Sequence, residues 1–331
     1  MRPVDCARVF GYHNRSAPRN IIRKEKIMKY IDWLEDWLEN YVRPSVKPRT
    51  YDRYAVVVRQ HIAADLGRRD MEELTPLALQ QFLTGLLRGG NRRTGAGLSG
   101  SSVNTVISVM RASLVAARSL GLTGSVAADG LKRPRLSARK VECFTAAEQK
   151  KIEQAVLGGK KDKLLGIVLC LYSGLRVGEL IALQWSDMDF AKGTLSVSRS
   201  CHDGKYGLII DEPKTADSRR LIPLPKQLLP LLKALKKRSI SPFVVSEDGG
   251  PMCVRSYQRS FELLLKKLKL PHRGFHSLRH TFATRALECG MDVRTLAEIL
   301  GHSNPTVTLN SYAHSLMEHK TEMMNRLGRL L

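Results

Sequence analysis

The chain has 331 residues, more than one ordinary hydrophobic core holds, and this length favours two domains. Its 43% hydrophobic content is ordinary for a globular protein and argues against disorder as the default state. The formal net charge of +23 favours a polyanion such as nucleic acid as partner, because each neutralised phosphate releases counterions. A ribosomal or merely solubilising basic surface is the alternative.

The six cysteines are widely separated and form no C-x-x-C pair, which disfavours a disulfide framework or a zinc site. No apolar run reaches the ~18 residues of a membrane-spanning helix, and the basic N-terminus is not followed by a hydrophobic block. We therefore expect no metal, no membrane association and a reduced cytoplasmic setting.

The first part of the chain is predicted to be a basic tail followed by a helical bundle. Residues 1–25 are rich in Arg, Lys and Asn and show no hydrophobic period, as is typical of a tail. Apolar residues then recur every three or four positions, which predicts amphipathic helices. The predicted helices span 27–41, 50–66, 75–87 and 101–120, with a glycine-rich loop at 89–100. Together they predict a helical domain over 26–130.

A linker is predicted between the two domains, at 131–141. Residues 131–140 hold five positive charges, one proline and no acidic residue, a composition typical of extended chain. Its charges alone fit a solvated loop equally well. Its position between two periodic regions favours a strap that follows DNA.

The second domain is predicted to open at the capping box Thr145-Ala-Ala-Glu148 and to be mainly helical. Residues 194–223 alternate apolar and polar positions around turn signals, which predicts a three-stranded antiparallel sheet. Helical patterns cover 145–156, 161–173, 177–185, 226–237, 254–269, 276–289, 292–300 and 305–315. The fold class is therefore mainly α with a small antiparallel β-sheet. An apolar stripe in 316–331 predicts a C-terminal helix that docks on a neighbouring protomer.

Three candidate functional residues each have an ordinary alternative explanation when read alone. Arg176 precedes a predicted helix whose N-terminal amides favour an anion, but it could simply pair with Glu179. Lys214 lies in a turn between strands, where it could reach a DNA groove or be an ordinary surface lysine. Tyr312 is typical of a helix core, and its phenol, with a pKa of about 10, needs a proton acceptor and cationic neighbours to attack at neutral pH.

The other candidates are imidazole and guanidinium groups near helix ends. His276 and Arg279 are three residues apart, so they share one helix face and are able to converge on one ligand; a merely polar surface, which would include His280, is the alternative. His302 follows Gly301 at a helix junction, where a lone histidine is more often a capping or packing residue. Read together, the six residues supply the fixed cations, nucleophile and acid that cleavage of a phosphodiester requires.

The order of these residues and their surroundings resembles the tyrosine recombinase (phage integrase) family. The segments that carry the resemblance are Ser-Gly-Leu-Arg-Val-Gly-Glu-Leu at 173–180, His-Ser-Leu-Arg-His-Thr-Phe-Ala-Thr at 276–284, Leu-Gly-His-Ser at 300–303 and Tyr-Ala-His at 312–314. It covers nearly all of 142–315, a mixed α/β catalytic domain in that family, and the preceding bundle is similar to the family's core-binding domain. Integrases of conjugative transposons and phages are the most similar branch.

The resemblance implies a role for each of the six residues. Tyr312 would attack the scissile phosphate and form a 3′-phosphotyrosyl link with a free 5′-hydroxyl. Arg176 and Arg279 would hold the non-bridging oxygens, and Lys214 would protonate the departing oxygen. His276 would accept the tyrosine proton, and His302 would hydrogen-bond the phosphate. No metal, ATP or other cofactor is implied, because the covalent link retains the bond energy.

The resemblance also implies partners, and it leaves alternative functions open. Double-stranded DNA at specific core sites would be bound by both domains, with four protomers on two sites, an accessory protein that bends DNA or sets direction, and a location on the nucleoid. Residues 1–25 are too short for the arm-binding domain of many such integrases, so either core sites alone are recognised or that domain lies outside the printed sequence. Integration and excision of a mobile element is the favoured function. The alternatives are a chromosome-dimer-resolving recombinase, a type IB topoisomerase and a non-catalytic DNA-binding regulator.

Overall fold

In the N-terminal unit, a helical bundle forms because successive helices bury one apolar face each. The computed structural model describes residues 28–123, 127–135, 142–159, 161–204, 207–211, 220–247, 249–302 and 324–325. The chain divides into two compact units, one ending at Ala138 and the other beginning at Arg139. The bundle helices are α1 (Tyr30–Asp36), α2 (Pro48–Val57), α3 (Ala63–Leu66), α4 (Pro76–Gly89) and α5 (Gly100–Ser119).

Two of these helices continue through π-helical turns, at Trp37–Val42 after α1 and at Val58–Ile62 between α2 and α3. The predicted helix at 50–66 is thus interrupted by a wider turn, and the predicted helix at 27–41 ends in one. Helix α4 begins as predicted, with the Thr75 hydroxyl accepting a hydrogen bond from the backbone N–H of Ala78 over 3.2 Å. The predicted basic tail at 1–25 lies outside the described residues.

The bundle core contains a polar contact between its first and last helices. The hydroxyl groups of Tyr30 and Ser113 are hydrogen-bonded over 2.8 Å, and the indole N–H of Trp33 donates to the carbonyl oxygen of Ser113 over 3.0 Å. Both aromatic residues and Ser113 are buried, so these bonds satisfy polar atoms that water does not reach.

The second unit is mainly helical and is built around one large apolar core. Its helices are α6 (Ala146–Leu157), α7 (Leu165–Ser173), α8 (Val177–Ala182), α9 (Leu228–Arg238), α10 (Val254–Lys267), α11 (Ser277–Glu288) and α12 (Val293–Leu300). The first residues of this unit are attached to α11. The backbone N–H of Phe144 donates to Oγ1 of Thr281 over 2.9 Å, and the Phe144 carbonyl oxygen accepts from Arg285 over 3.0 Å.

The strands form separate sheets, and this corrects the prediction of one three-stranded sheet over 194–223. One sheet has the order β1-β2-β5, and a second contains only β3 and β4. A short hairpin, β6 with β7, lies further along the chain. All pairings are antiparallel. The strands are β1 (Met188–Asp189), β2 (Thr194–Val197), β3 (Ser200–Gly204), β4 (Gly207–Asp211), β5 (Arg220–Pro223), β6 (Ser246–Glu247) and β7 (Gly250–Pro251).

Helix α8 is shorter than predicted, ending at Ala182 rather than at 185. The chain turns extended there because Leu183 accepts a backbone hydrogen bond from Val244 over 2.9 Å and Trp185 donates one to Pro242 over 2.9 Å. These long-range bonds replace the helical bonds that would have continued α8. The predicted helix at 305–315 lies outside the described residues.

Candidate active site

Two glycines in the segment 173–180 place Arg176 at the start of α8. Gly174 ends α7 in the left-handed conformation, with φ of 65°, which favours a residue without a Cβ. A Cβ at Gly178 would lie 2.4 Å from the carbonyl oxygen of Cys201, so glycine permits α8 to approach β3 this closely. The motif therefore sets the backbone path that brings Arg176 to the site.

Arg176 forms the ion pair with Glu179 that the sequence allowed. Its Nη1 donates to Oε1 of Glu179 over 2.8 Å, and its backbone N–H donates to Oε2 over 2.8 Å. The Arg176 side chain nevertheless stays 38% exposed. The ion pair orients the guanidinium and leaves part of it accessible to a ligand.

Arg279 is buried on α11 and connects three segments of the site. Its Nη1 donates to the carbonyl oxygen of Gly174 over 2.8 Å, and its Nη2 donates to the carbonyl oxygen of Leu300 over 2.6 Å and to Nε2 of His302 over 2.8 Å. The residue is 2% exposed. It therefore fixes the positions of the turn before Arg176 and of the turn that carries His302.

His276 lies at the N-terminus of α11, exposed at its surface and beside His280. The two rings meet edge to face with centroids 4.6 Å apart. Although the residue is exposed, partial desolvation of its ring by the surrounding chain, followed by the charges of His280, Arg279 and Arg176, lowers the pKa of His276 to about 4. At neutral pH the imidazole is uncharged and able to accept a proton.

His302 follows α12 and shares this electrostatic environment. Partial burial, together with the positive charges of Arg279, Arg176 and Arg220, lowers its pKa to about 4. Because Arg176 and Arg279 influence both histidines, the structure brings four of the six predicted site residues together. Lys214 and Tyr312 lie outside the described residues.

Sequence reasoning missed Arg220, which begins β5. Its Nη1 and Nη2 donate to the two carboxylate oxygens of Glu179 over 3.1 and 2.9 Å, and its Nε donates to the carbonyl oxygen of Ile299 over 2.5 Å. The only signal in the sequence was a basic residue within an otherwise ordinary strand. Its carboxylate partner lies 41 positions away, a separation that no local pattern reports.

Glu179 is 6% exposed and receives hydrogen bonds from both arginines. Burial alone would raise the pKa of its carboxyl group, but Arg220 and Arg176 more than offset this and lower it to about 2. The group is therefore a carboxylate at neutral pH.

The described residues contain no cluster of three or more His, Cys, Asp or Glu side chains placed to hold a metal ion. Within those same residues, no helix is both long enough and apolar enough to cross a membrane. Arg176, Arg279, His276 and His302 offer guanidinium and neutral imidazole groups, which are able to bind an anionic oxygen and to transfer a proton.

Models of known protein families match segments of both units. Residues 141–319 match the model of the phage integrase family, and residues 20–87 match the phage integrase N-terminal SAM-like domain. A tyrosine recombinase XerC-like protein of Caldanaerobacter subterraneus subsp. tengcongensis is 32% identical over 216 residues, which are 58% of this chain and 55% of that protein. The chain thus spans only about half of this relative.

Longer matches extend across both units. The ICEBs1 integrase of Bacillus subtilis is 26% identical over 301 residues, 86% of this chain and 78% of that one. The Tn1549 transposon integrase, solved with transposon right end DNA, superposes with a TM-score of 0.76 at 25% identity, over 91% of this chain and 100% of that chain. The family model covers more than half of the sequence, so this chain belongs to the phage integrase family, the tyrosine recombinases.

Proposed function

We propose that the protein is a site-specific recombinase that cuts and rejoins DNA through a 3′-phosphotyrosyl intermediate, with Tyr312 as the nucleophile. The observation that carries the proposal is the joining of Arg279 to His302, with Arg176 and His276 in the same electrostatic environment. Two guanidinium groups and two neutral imidazoles suit a phosphate whose negative charge increases during attack.

Each described residue has a role that its surroundings support. Arg176 is partly exposed and would bind a non-bridging oxygen directly. Arg279 is buried and would act from the floor of the site, with His302 held beside it as a hydrogen-bond donor to the phosphate. His276 is exposed and neutral, so it would accept the phenolic proton of Tyr312. Lys214 would protonate the departing 5′-oxygen.

The test is formation of a covalent adduct on nicked duplexes tiled across the DNA that flanks the gene. We expect an adduct that survives denaturation, forms in EDTA without ATP, and retains a label at the 5′ end of the cleaved strand, because the enzyme holds the 3′-phosphate. Tyr312→Phe should abolish it. Tyr172→Phe, which removes another phenol of the same unit, should not. An adduct that persists in Tyr312→Phe would refute the proposal.

Integration and excision of a mobile element is the biological role that we propose. The integrases of ICEBs1 and Tn1549 match most of this chain, and this supports the choice over chromosome-dimer resolution. The test pairs two plasmid substrates, one with the joined ends of the flanking element and one with directly repeated chromosomal sites. Recombination of the second alone would favour dimer resolution, and relaxation of supercoils without any site preference would favour a topoisomerase.

We also propose a tetramer on two DNA sites, in which residues 316–331 of one protomer dock on the next. Six of the seven apolar residues of this segment are consistent with a docking stripe, namely Leu316, Met323, Met324, Leu327, Leu330 and Leu331. A chain ending at residue 315 should still bind one site but lose the paired complex in native gels and lose strand exchange. Unchanged assembly and exchange would rule out the docking role. An accessory DNA-bending protein and a place on the nucleoid complete the proposal.

A further inference from the structure

The Arg220 side chain is almost wholly buried, and it is hydrogen-bonded to two segments that carry site residues. Its side chain is 6% exposed, like that of Glu179, whereas the Arg176 side chain is 38% exposed. Of the two arginines that share the Glu179 carboxylate, only Arg176 is therefore accessible to a ligand. This difference in exposure separates their functions.

The Glu179 carboxylate is saturated by four hydrogen bonds. Oε1 accepts from Nη1 of Arg176 and from Nη1 of Arg220, over 2.8 and 3.1 Å. Oε2 accepts from the backbone N–H of Arg176 and from Nη2 of Arg220, over 2.8 and 2.9 Å. A carboxylate offers about four lone-pair positions, so Arg176 is restricted to one side-chain contact while Arg220 is in place.

The charges around Glu179 also assign different functions to Arg176 and Arg220. One buried carboxylate and two guanidinium groups leave one net positive charge, and the accessible part of it lies on Arg176. Without Arg220, the only described guanidinium still hydrogen-bonded to Glu179 would be that of Arg176, and a buried carboxylate strongly favours a two-point contact with it. The cation intended for the phosphate would then be neutralised inside the protein.

Arg220 also supports the turn that carries His302. Its Nε donates to the Ile299 carbonyl oxygen at the end of α12. A Cβ on Gly301 would lie 3.1 Å from both Cδ and Nη1 of Arg220, so the guanidinium packs directly on this turn. The same side chain therefore spans the distance between the Arg176 segment and the His302 segment.

We infer that Arg220 is a positioning residue that neutralises Glu179, keeps Arg176 available for the scissile phosphate and holds the His302 turn in register with it. This inference deepens the proposed recombinase function and rests on it. Arg220 itself touches no substrate. Its effect is exerted on the rate of cleavage through Arg176 and His302, with little effect on the affinity for duplex.

The experiment compares the full-length wild-type protein with Arg220→Gln, Arg220→Lys, Glu179→Gln and the double variant Glu179→Gln/Arg220→Gln. Arg199→Lys is the matched control, because Arg199 is a half-buried arginine of the same unit that pairs with a different carboxylate, that of Asp187, over 2.8 and 2.6 Å. The measurements are the single-turnover rate of adduct formation on a nicked duplex at saturating protein, the Kd for that duplex and the melting temperature.

We expect Arg220→Gln to slow adduct formation about 100-fold, the size of effect seen when one oxyanion-stabilising donor is lost, with Kd changed by less than about threefold. Arg220→Lys keeps the charge but has no planar fork, so a loss of roughly tenfold is expected. The decisive comparison is the double variant. Removing the carboxylate releases Arg176, so it should cleave about tenfold faster than Arg220→Gln alone.

A merely structural role predicts the opposite, namely a double variant no faster than Arg220→Gln, and that result would overturn the inference. Arg220→Lys and Arg220→Gln rates equal to wild type, or a loss as large in Arg199→Lys, would also overturn it. If Arg220→Gln does not fold, the comparison of Glu179→Gln/Arg220→Gln with Arg220→Lys decides, because the double variant carries no unpaired carboxylate. A wild-type protein that forms no adduct would instead refute the proposed function, on which this inference depends.

Discussion

Nη2 of Arg279 donates a hydrogen bond to Nε2 of His302 over 2.8 Å. A guanidinium group has no acceptor, so Nε2 must accept, and the neutral imidazole carries its hydrogen on Nδ1. The buried arginine therefore fixes the tautomer as well as the orientation of His302, and it presents an N–H donor rather than a lone pair at Nδ1.

The tautomer and the titration of the two site histidines are measurable by NMR. Long-range ¹H–¹⁵N spectra of labelled protein should show the Nδ1–H form of His302 at pH 7. Titration midpoints of His276 and His302 should lie near pH 4, because burial and neighbouring cations disfavour their charged forms. Midpoints near 6.5 for His276 and His302 would contradict the prediction.

Acid should destabilise the second unit in a definite pH window. The unfolded chain takes up protons on these histidines near pH 6.5, whereas the folded chain does so near pH 4. Between these values the unfolded state binds more protons, so the free energy of unfolding falls as pH decreases from 6.5 to 4. With allowance for the solvent-accessible face of both rings, we expect a loss of about 1–3 kcal/mol.

Urea denaturation at pH 7 and pH 4.5 measures this loss. The double variant His276→Asn/His302→Asn should show a shallower pH dependence between these values. Glu179 contributes at lower pH than the histidines, because the stabilisation from its lowered pKa is present above pH 4.5 and is lost as pH falls towards 2. An equal slope in wild type and double variant would place the acid sensitivity elsewhere.

Gly174→Ala should both destabilise the protein and slow cleavage. A Cβ there would lie 2.6 Å from Phe282 Cδ1 and 2.8 Å from Leu300 Cδ2, in a backbone with φ of 65°. Left-handed strain and overpacking together cost about 2–4 kcal/mol, and the displaced Gly174 carbonyl oxygen would no longer hold Arg279. Thermal melting and adduct assays measure the two effects.

Gly290→Ala is the control for that substitution. Gly290 has a φ of +87°, but nothing lies within 4 Å of an added Cβ. Gly290→Ala should therefore lower the free energy of unfolding by only about 1–2 kcal/mol, through strain in the left-handed backbone. Cleavage should be unchanged at temperatures below the melting point of the variant. Equal losses of cleavage activity in both variants would show that Gly174 does not act by positioning Arg279.

In the bundle, Ser113→Ala should destabilise more than the removal of one hydroxyl suggests. The Tyr30 hydroxyl is fully buried and bonded to Ser113 Oγ over 2.8 Å. Leaving it without this partner costs about 1–3 kcal/mol, whereas removing both hydroxyls costs less than the sum of the two single changes. Urea denaturation of Ser113→Ala, Tyr30→Phe and the double variant tests this, with Ser119→Ala, an exposed site on the same helix, as control. Strict additivity would contradict the predicted coupling.

Local patterns predicted the helices and the family well. The start of α4 at Thr75-Pro76 and the capping box at Thr145 and Glu148 are confirmed, as is membership of the phage integrase family. The mainly helical fold class is confirmed as well. These features depend on residues close in sequence, which periodicity and capping report directly.

Features that depend on distant residues were not predictable. Alternation over 194–223 indicated strands but not their partners, so the division into two sheets was missed. Arg220 was missed because its meaning comes from Glu179 and Ile299, which contact it only after folding. The roles of Lys214 and Tyr312 stay predictions that the adduct assay tests.

The close approach of α8 to β3 at Gly178 also limits which amino acids this position is able to accept. A methyl group added at Gly178 would clash with the backbone of Cys201, and a backbone, unlike a side chain, cannot adopt another rotamer to relieve the clash. In a saturation library selected for recombination, we therefore expect position 178 to accept glycine alone, while Gly85, with open space around it, admits alanine and serine. If every active variant has glycine at position 178, the reason is the close spacing of the two backbones and not a role in phosphate chemistry.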